Sequence, residues 1–158
     1  MRKRGWLSAM PEPGAGKRGV DGHVGYLLRQ AGVAFRASME EALSDLGVTL
    51  PQFAAMTMVA AYPGLSNADL ARLSLLTPQT MSLIVRNLTR AGMLRCRPHP
   101  VHGRIRRLDL TAAGKALLAR CNRRVRLVEA RLTAGLSAGE ERAVRHWLVR
   151  VAVESRVG

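Results

Sequence analysis

Residues 77–90, TPQTMSLIVRNLTR, combine hydrogen-bonding side chains with a strong apolar periodicity. Thr77 can cap a helix because its hydroxyl can accept from a backbone N–H of the first turn, and Pro78 suits the first helical position. Apolar residues recur at spacings of three and four, which predicts one buried face: Met81, Ile84, Val85 and Leu88. The opposite face then presents Gln79, Thr80, Ser82, Leu83 and Arg86.

The chemistry open to that outer face is hydrogen bonding to the edges of DNA bases. A helix of this length, about 20 Å at 1.5 Å per residue, fits the major groove, where each base pair presents its own pattern of donors and acceptors. An ordinary amphipathic surface helix would show the same periodicity. The elements on either side of the helix therefore decide between the two interpretations.

The charge of the chain indicates a polyanionic partner. The 25 Lys and Arg residues outnumber the 11 Asp and Glu residues, giving a net charge of +14, which suits DNA, RNA or an anionic membrane. No run of 18 apolar residues predicts a transmembrane helix, and no apolar signal-peptide core follows the basic N-terminus. We therefore expect a cytoplasmic protein whose two cysteines, Cys96 and Cys121, are reduced thiols.

The first 47 residues predict an arm followed by a helix. Residues 1–21 are rich in Arg, Lys, Pro and Gly and predict a flexible basic arm, which either solubilises the chain or lies along DNA. Residues 22–47 predict a long helix that ends at Gly47. Its apolar residues extend over more of its circumference than a small domain can cover, so we expect it to contribute to a subunit interface.

Residues 48–110 predict a DNA-binding region. Thr49 and Gln52 have the spacing of a capping box and open one helix. Ser66 caps a short helix over residues 67–73, and a brief turn joins that helix to the one that Thr77 caps. Two helices joined by a short turn, the second with a polar outer face, form a helix-turn-helix.

A basic β-hairpin, or wing, is predicted directly after those helices. Its strands cover residues 93–97 and 104–110 on either side of a turn. The charge is one-sided because a single acid, Asp109, accompanies the arginines Arg95, Arg97, Arg104, Arg106 and Arg107. A basic wing suits contact with phosphates, and an arginine at its tip suits a narrow minor groove.

Residues 111–158 predict two further helices. Thr111 caps the first, which carries a seam with coiled-coil spacing that includes Leu118 and Cys121. Ser137 and Glu140 have the spacing of a capping box and open the second helix.

The ordered set of elements resembles the MarR family of bacterial transcription regulators over roughly residues 23–153. The matching residues are Leu70-Ala71, Thr77-Pro78-Gln79-Thr80, Gly92-Met93-Leu94-Arg95 and Leu110-Thr111-Ala112-Ala113-Gly114. The resemblance implies a mainly α fold, in which a winged helix-turn-helix with a small β-hairpin wing is flanked by dimerisation helices at 22–47 and 111–158. It also implies an obligate homodimer on pseudo-palindromic double-stranded DNA.

The resemblance also implies roles for individual residues. Arg104 would enter the minor groove, although the family usually places an aspartate just before this arginine, where this chain has His102 and Gly103. Together with Thr77 and the wing arginines Arg95, Arg97 and Arg106, the residues that would face bases or phosphates are Gln79, Thr80, Ser82 and Arg86.

Members of the family often bind small aromatic or phenolic anions, and some sense oxidants through cysteine. Candidate lining residues for such an anion are Phe35, Met39, Phe53 and Met56, for which plain core is the alternative interpretation. Cys96 lies between two arginines in the sequence, whose charge would favour an oxidisable thiolate, whereas Cys121 on the seam is more simply a core residue.

We expect no metal, cofactor or catalytic residue. The four histidines lack tight ligand spacing, and neither a nucleophile–base pair nor a Gly-rich phosphate loop is apparent. The sequence therefore predicts a sequence-specific transcriptional repressor, homodimeric and released from DNA by a small aromatic or phenolic ligand. The alternatives are a protein that coats DNA without sequence choice, a cysteine-based redox-sensing regulator, and a dimeric ligand-binding module that has lost DNA binding.

Overall fold

The computed structural model of the chain describes residues 12–98 and 106–154, which form helices and one antiparallel hairpin. The helices are α1 (Val24–Ser44), α2 (Leu50–Ala61), α3 (Asn67–Leu73), α4 (Pro78–Arg90), α5 (Ala112–Leu132) and α6 (Ala138–Glu154). The hairpin pairs β1 (Leu94–Pro98) with β2 (Arg106–Leu110), so that Leu94 lies opposite Leu110. This arrangement confirms the predicted mainly α class with a small β wing.

The chain divides after Ser38 into two compact units. The described part of the first unit contains the end of the predicted flexible arm, and this end is structured. A 3-10 helix forms at Gly16–Arg18. The Gln30 side chain on α1 then accepts from Arg18 Nε at 3.2 Å and donates to the Arg18 carbonyl oxygen at 3.1 Å. The end of the predicted arm thus contacts α1.

The core of the second unit lies among α2, α3, α4, α5 and the wing. Aromatic residues make up only 4% of the chain, and leucine and methionine fill this core in their place. The largest fully buried side chains are Leu43, Met56, Leu70, Met81, Leu94, Leu108 and Cys121. On α4 the buried residues Met81, Ile84 and Leu88 confirm the inward face that the spacing predicts, and Val85 is half-buried. This packing leaves the opposite face of α4 exposed.

Helix caps occur where the sequence predicts them. The Thr49–Gln52 and Ser66–Asp69 capping boxes are both complete, and the Ser137 hydroxyl and backbone N–H both donate to Glu140. Asp69 takes the position that Glu or Gln usually occupies, and its hydrogen bond from the Ser66 hydroxyl lowers the pKa of the Asp69 carboxyl. Such caps bond backbone groups that have no partner inside the helix.

The turn between α3 and α4 contains a leucine in the left-handed region. Leu75 has φ 54°, and the backbone N–H of Leu76 donates to the Ala71 carbonyl at 3.0 Å. This is the helix-ending arrangement in which glycine is usual.

Replacing Leu75 with glycine should stabilise the protein. A left-handed backbone costs an L-residue about 1–2 kcal/mol, and the greater freedom of glycine in the unfolded chain offsets up to about 1 kcal/mol of the gain. We therefore expect urea unfolding at fixed protein concentration to show a net gain of about 0.5–1 kcal/mol. Leu73→Gly, at the last helical residue of α3, should instead lower stability by about 1 kcal/mol, because glycine disfavours the helix. Equal losses in both variants would contradict this account of the turn.

The junction between β1 and α5 is closely packed around Gly114. Thr111 donates from its backbone N–H to the Met93 carbonyl at 3.0 Å and from its hydroxyl to the Gly92 carbonyl at 2.6 Å. These bonds draw the first turn of α5 onto the chain that enters the wing. A Cβ placed on Gly114 would overlap the Met93 carbonyl oxygen and lie 3.1 Å from Leu110 Cδ2. A glycine is therefore required at this point.

Helix α6 exposes apolar side chains to solvent and buries no residue. Val144, Leu148, Val149 and Val153 are 42–63% exposed. Among the helices of the described ranges, none has both the length and the apolar content that crossing a membrane requires.

Candidate nucleic-acid interface

The exposed face of α4 is the surface that the sequence assigns to base recognition. Side chains advance about 100° per residue around a helix, so positions 79, 83, 86 and 90 lie along the line opposite the buried residues. Gln79, Leu83, Arg86 and Arg90 are all exposed. Thr80 and Ser82 are exposed on the flanks of that line. We call the line of Gln79, Leu83, Arg86 and Arg90 the reading face. Of the four base-reading candidates, Gln79 and Arg86 lie on this face, and Thr80 and Ser82 lie at its edges.

The hydroxyl groups beside the reading face already have partners. Thr77 caps α4 by accepting from the Thr80 backbone N–H at 3.2 Å, and the two threonine hydroxyls lie 2.9 Å apart. Ser82 donates to the Pro78 carbonyl at 2.8 Å and accepts from the Asn67 amide at 3.0 Å. Because the single hydroxyl proton of Ser82 is already donated, this residue can offer a base only an acceptor.

The bond between Asn67 and Ser82 joins the two helices of the helix-turn-helix. Asn67 is the first residue of α3, fifteen positions before Ser82, and nothing in the sequence around it predicts a role at the interface. No local pattern signals such a bond, because it depends on how α3 crosses α4. Asn67 therefore belongs to the site as a residue that links α3 to α4.

The wing has one charged and one apolar side. The register pairs Arg95 with Asp109 and Arg97 with Arg107. Asp109 Oδ2 lies 3.7 Å from Arg95 Nε and 3.4 Å from Arg97 Nε, so one carboxylate faces both guanidinium groups. The family's usual aspartate precedes the wing arginine, whereas Asp109 acts here from across the hairpin on different arginines.

The predicted DNA contacts of the wing are Arg95, Arg97, Arg104 and Arg106. Arg106 begins β2 opposite Pro98, and Arg104 lies outside the described residues. Arg95 and Arg97 have side chains that are 52% and 56% exposed despite their contact with Asp109. Both are therefore accessible to a phosphate, although Asp109 offsets part of their charge.

Cys96 is exposed, and the two arginines that flank it in the sequence do not face its thiol. Its register partner is Leu108, and successive side chains of a strand point to opposite faces. The side chains of Arg95 and Arg97 therefore project away from the Cys96 thiol, towards Asp109. Cys121 is fully buried, and desolvation raises the pKa of its thiol.

The two cysteines should differ sharply in reactivity. Because the thiolate is the reactive form, dithiobis(nitrobenzoate) should modify Cys96 rapidly in the folded protein and Cys121 only after denaturation. Counting released thiolate against time measures both rates. The variant Cys96→Ser should abolish the fast phase, and a fast phase that survives this change would contradict the burial of Cys121.

Three of the four residues expected to line an effector pocket are core residues. Met39, Phe53 and Met56 have at most 9% of their surface exposed, and Phe35 is half-buried on the part of α1 that precedes Met39. Their burial fits the alternative interpretation of these side chains as core residues, and their contact with an effector stays a prediction. The described residues also contain no group of three His, Cys, Asp or Glu that could hold a metal ion.

A groove of about 420 Å³ lies elsewhere, between the end of α2, the base of the wing and the first half of α5. Val59, Ala60, Pro63, Leu110, Leu118 and Ala119 form its apolar walls. Its polar groups are the side chains of Arg95, Asp109, Lys115 and Asn122. Apolar walls with two cations and one amide suit a small amphipathic anion, which the Asp109 carboxylate in the same lining would oppose in part.

Comparison with known proteins gives consistent matches. A model of the MarR family matches residues 46–105. The HTH-type transcriptional repressor Rv2887 of Mycobacterium tuberculosis is 41% identical over 132 residues, covering 83% of this chain and 94% of the relative. Its crystal structure in complex with DNA superimposes with a TM-score of 0.68 at 38% identity, over 83% of this chain and 98% of that one. Its complex with salicylic acid gives 0.66 at 39% identity, over 84% and 98%.

Proposed function

This chain belongs to the MarR family of transcription regulators, and on that premise we propose that it is a sequence-specific, homodimeric transcriptional repressor. The observation that carries the proposal is the reading face of α4, where Gln79 and Arg86 project to solvent beside a basic wing. An amide and a guanidinium are the side chains that pair with adenine and guanine edges in the major groove. Binding to chromosomal DNA would place the protein in the cytoplasm.

Dimerisation is supported by the surfaces of α1 and α6. On α6 four apolar side chains stay 42–63% exposed within the described chain, and on α1 the exposed apolar residues include Val24, Tyr26 and Val33. A second copy of the chain would bury both surfaces. We propose that residues 22–47 and 111–158 form the dimer and that residues 48–110 bind DNA.

The test is binding to the DNA upstream of the protein's own gene. At about 0.15 M salt, where exposed charges are screened beyond about 8 Å, fluorescence anisotropy should show much tighter binding to this DNA than to a shuffled duplex of equal length. Equal affinity for both duplexes would overturn the proposal in favour of a protein that coats DNA. No binding to either would favour a ligand-binding module.

A small aromatic carboxylate is the proposed effector, and the groove beside Lys115 supports this part of the proposal. Rv2887 has been crystallised with salicylic acid and with p-aminosalicylic acid. In this chain the groove offers the Lys115 ammonium and the Arg95 guanidinium to a carboxylate, and Pro63 and Leu118 to a ring. Because Arg95 also contacts Asp109 on the wing, an anion in the groove would compete with that contact. Effector binding would thereby change the position of Arg95 on the DNA-binding surface.

Replacing Lys115 with alanine should therefore weaken the response to salicylate. Loss of one charge-assisted hydrogen bond should raise the salicylate concentration that half-releases DNA about tenfold. Titration of the protein–DNA complex measures this concentration. Arg120→Ala, on the same helix and outside the groove, should leave it unchanged. A response of Lys115→Ala equal to that of the unaltered protein would exclude the groove as the effector site.

A further inference from the structure

The centre of the reading face is apolar. Leu83 is 52% exposed, although the other large apolar residues of α4, Met81, Ile84 and Leu88, are at most 8% exposed. It lies one helical turn after Gln79 and just under one turn before Arg86, both of which are exposed on the same line of the helix. A leucine on the outer face of an amphipathic helix costs solubility and adds nothing to the core of the protein.

The short polar side chains next to Leu83 are already hydrogen-bonded within the protein, which strengthens the case that Leu83 contacts DNA. The hydroxyls of Thr77 and Thr80 face each other at 2.9 Å, and Ser82 is bonded to Pro78 and Asn67. The short polar side chains thus serve the structure of the helix-turn-helix. One hydroxyl proton of the Thr77–Thr80 pair remains available on the flank. Along the middle line of α4, the groups that can meet a base edge are the Gln79 amide, the Arg86 guanidinium and the Leu83 methyl groups.

Only one base carries an apolar group on its major-groove edge. Thymine presents a methyl group at C5, whereas the other three bases present donors and acceptors there. When a base changes, water can supply the hydrogen bond that a hydroxyl or amide loses. An exposed leucine, by contrast, gains free energy only where the contact removes apolar surface from water.

From this arrangement, and resting on the proposed function, we infer that Leu83 is a specificity-determining residue that recognises a thymine methyl group. Gln79 and Arg86 then read donors and acceptors on either side of that thymine. The inference assigns the operator an obligatory thymine at the position that faces the middle of α4, once in each half-site.

Substitution of thymine by deoxyuridine tests the contact directly, because it removes only the methyl group. Thymines of a bound upstream duplex are replaced one at a time, and affinity is measured by anisotropy. At one position in each half-site we expect a loss of about fourfold, the value of burying one methyl-sized group.

The same duplexes are then measured with Leu83→Ala and with a matched control, Leu73→Ala. Leu73 is 44% exposed on α3 and has no place on the reading face. Leu83→Ala should bind the thymine and deoxyuridine duplexes equally, whereas Leu73→Ala should keep the fourfold difference. Circular dichroism establishes that both variants fold.

The outcomes separate the inference from the proposed function. If the unaltered protein binds no duplex selectively, the proposed function fails. If it binds selectively but no deoxyuridine substitution weakens it, or if Leu83→Ala retains the full methyl effect, repression stands and the role of Leu83 is wrong.

Discussion

Replacing Gly114 with alanine should destabilise the folded protein by about 3 kcal/mol, a typical cost for a clash with rigid neighbours in a packed region. The added Cβ would overlap the Met93 carbonyl oxygen, which is backbone and already accepts from Thr111. Neither group can move alone, because Thr111 both caps α5 and holds the chain that enters the wing. The first turn of α5 would have to separate from β1.

Urea unfolding at fixed protein concentration measures this loss, since the stability of a dimer depends on concentration. The matched control is Gly139→Ala in the first turn of α6, where the nearest neighbouring atom is 3.9 Å from the added Cβ. That change should leave stability unchanged or raise it by less than about 1 kcal/mol, because alanine favours the helix. Similar stability of the two variants would show that the junction is more tolerant than its geometry indicates.

Replacing Arg86 with alanine should weaken binding to the cognate operator by about 1–3 kcal/mol, or roughly fivefold to 150-fold. Arg86 lies on the same line of α4 as Gln79, and a guanidinium there can donate two hydrogen bonds to guanine. Binding to a shuffled duplex should change much less, because a base contact contributes only where the right base is present.

The salt dependence of binding separates the possible roles of Arg86. If Arg86 reads a base, the slope of log K against log salt should hold steady, whereas loss of a phosphate contact should reduce it by about 0.9. Arg123→Ala, which removes an exposed arginine from α5, controls for net charge. An equal loss on cognate and shuffled DNA, with a reduced slope, would reassign Arg86 to the phosphate backbone.

Local features of the sequence predict much of this fold. A capping residue such as Thr77 or Ser137 bonds to groups three residues away, so a short window contains all the information it needs. The buried face of α4 follows from periodicity for the same reason. These features also placed Gln79 and Arg86 on one exposed surface.

Contacts between distant residues could not be predicted in this way. The Asn67–Ser82 bond depends on the crossing of two helices, and the approach of Asp109 to Arg95 and Arg97 depends on the register of the hairpin. Periodicity alone could not decide whether Phe53 and Met56 line a ligand pocket or pack in the core, because both environments draw on the same apolar side chains; the structure buries both residues. The groove beside Lys115 is formed by three separate elements and leaves no motif in the sequence.

The hydrogen bond from Asn67 to Ser82 has a consequence for redesign. It joins α3 to α4 through two exposed side chains at the edge of the recognition surface, and Gln79, Leu83 and Arg86 take no part in it. Those three positions can therefore be varied together in a library without disturbing the scaffold. Selection from such a library should yield repressors for new operators, provided that Asn67 and Ser82 are kept.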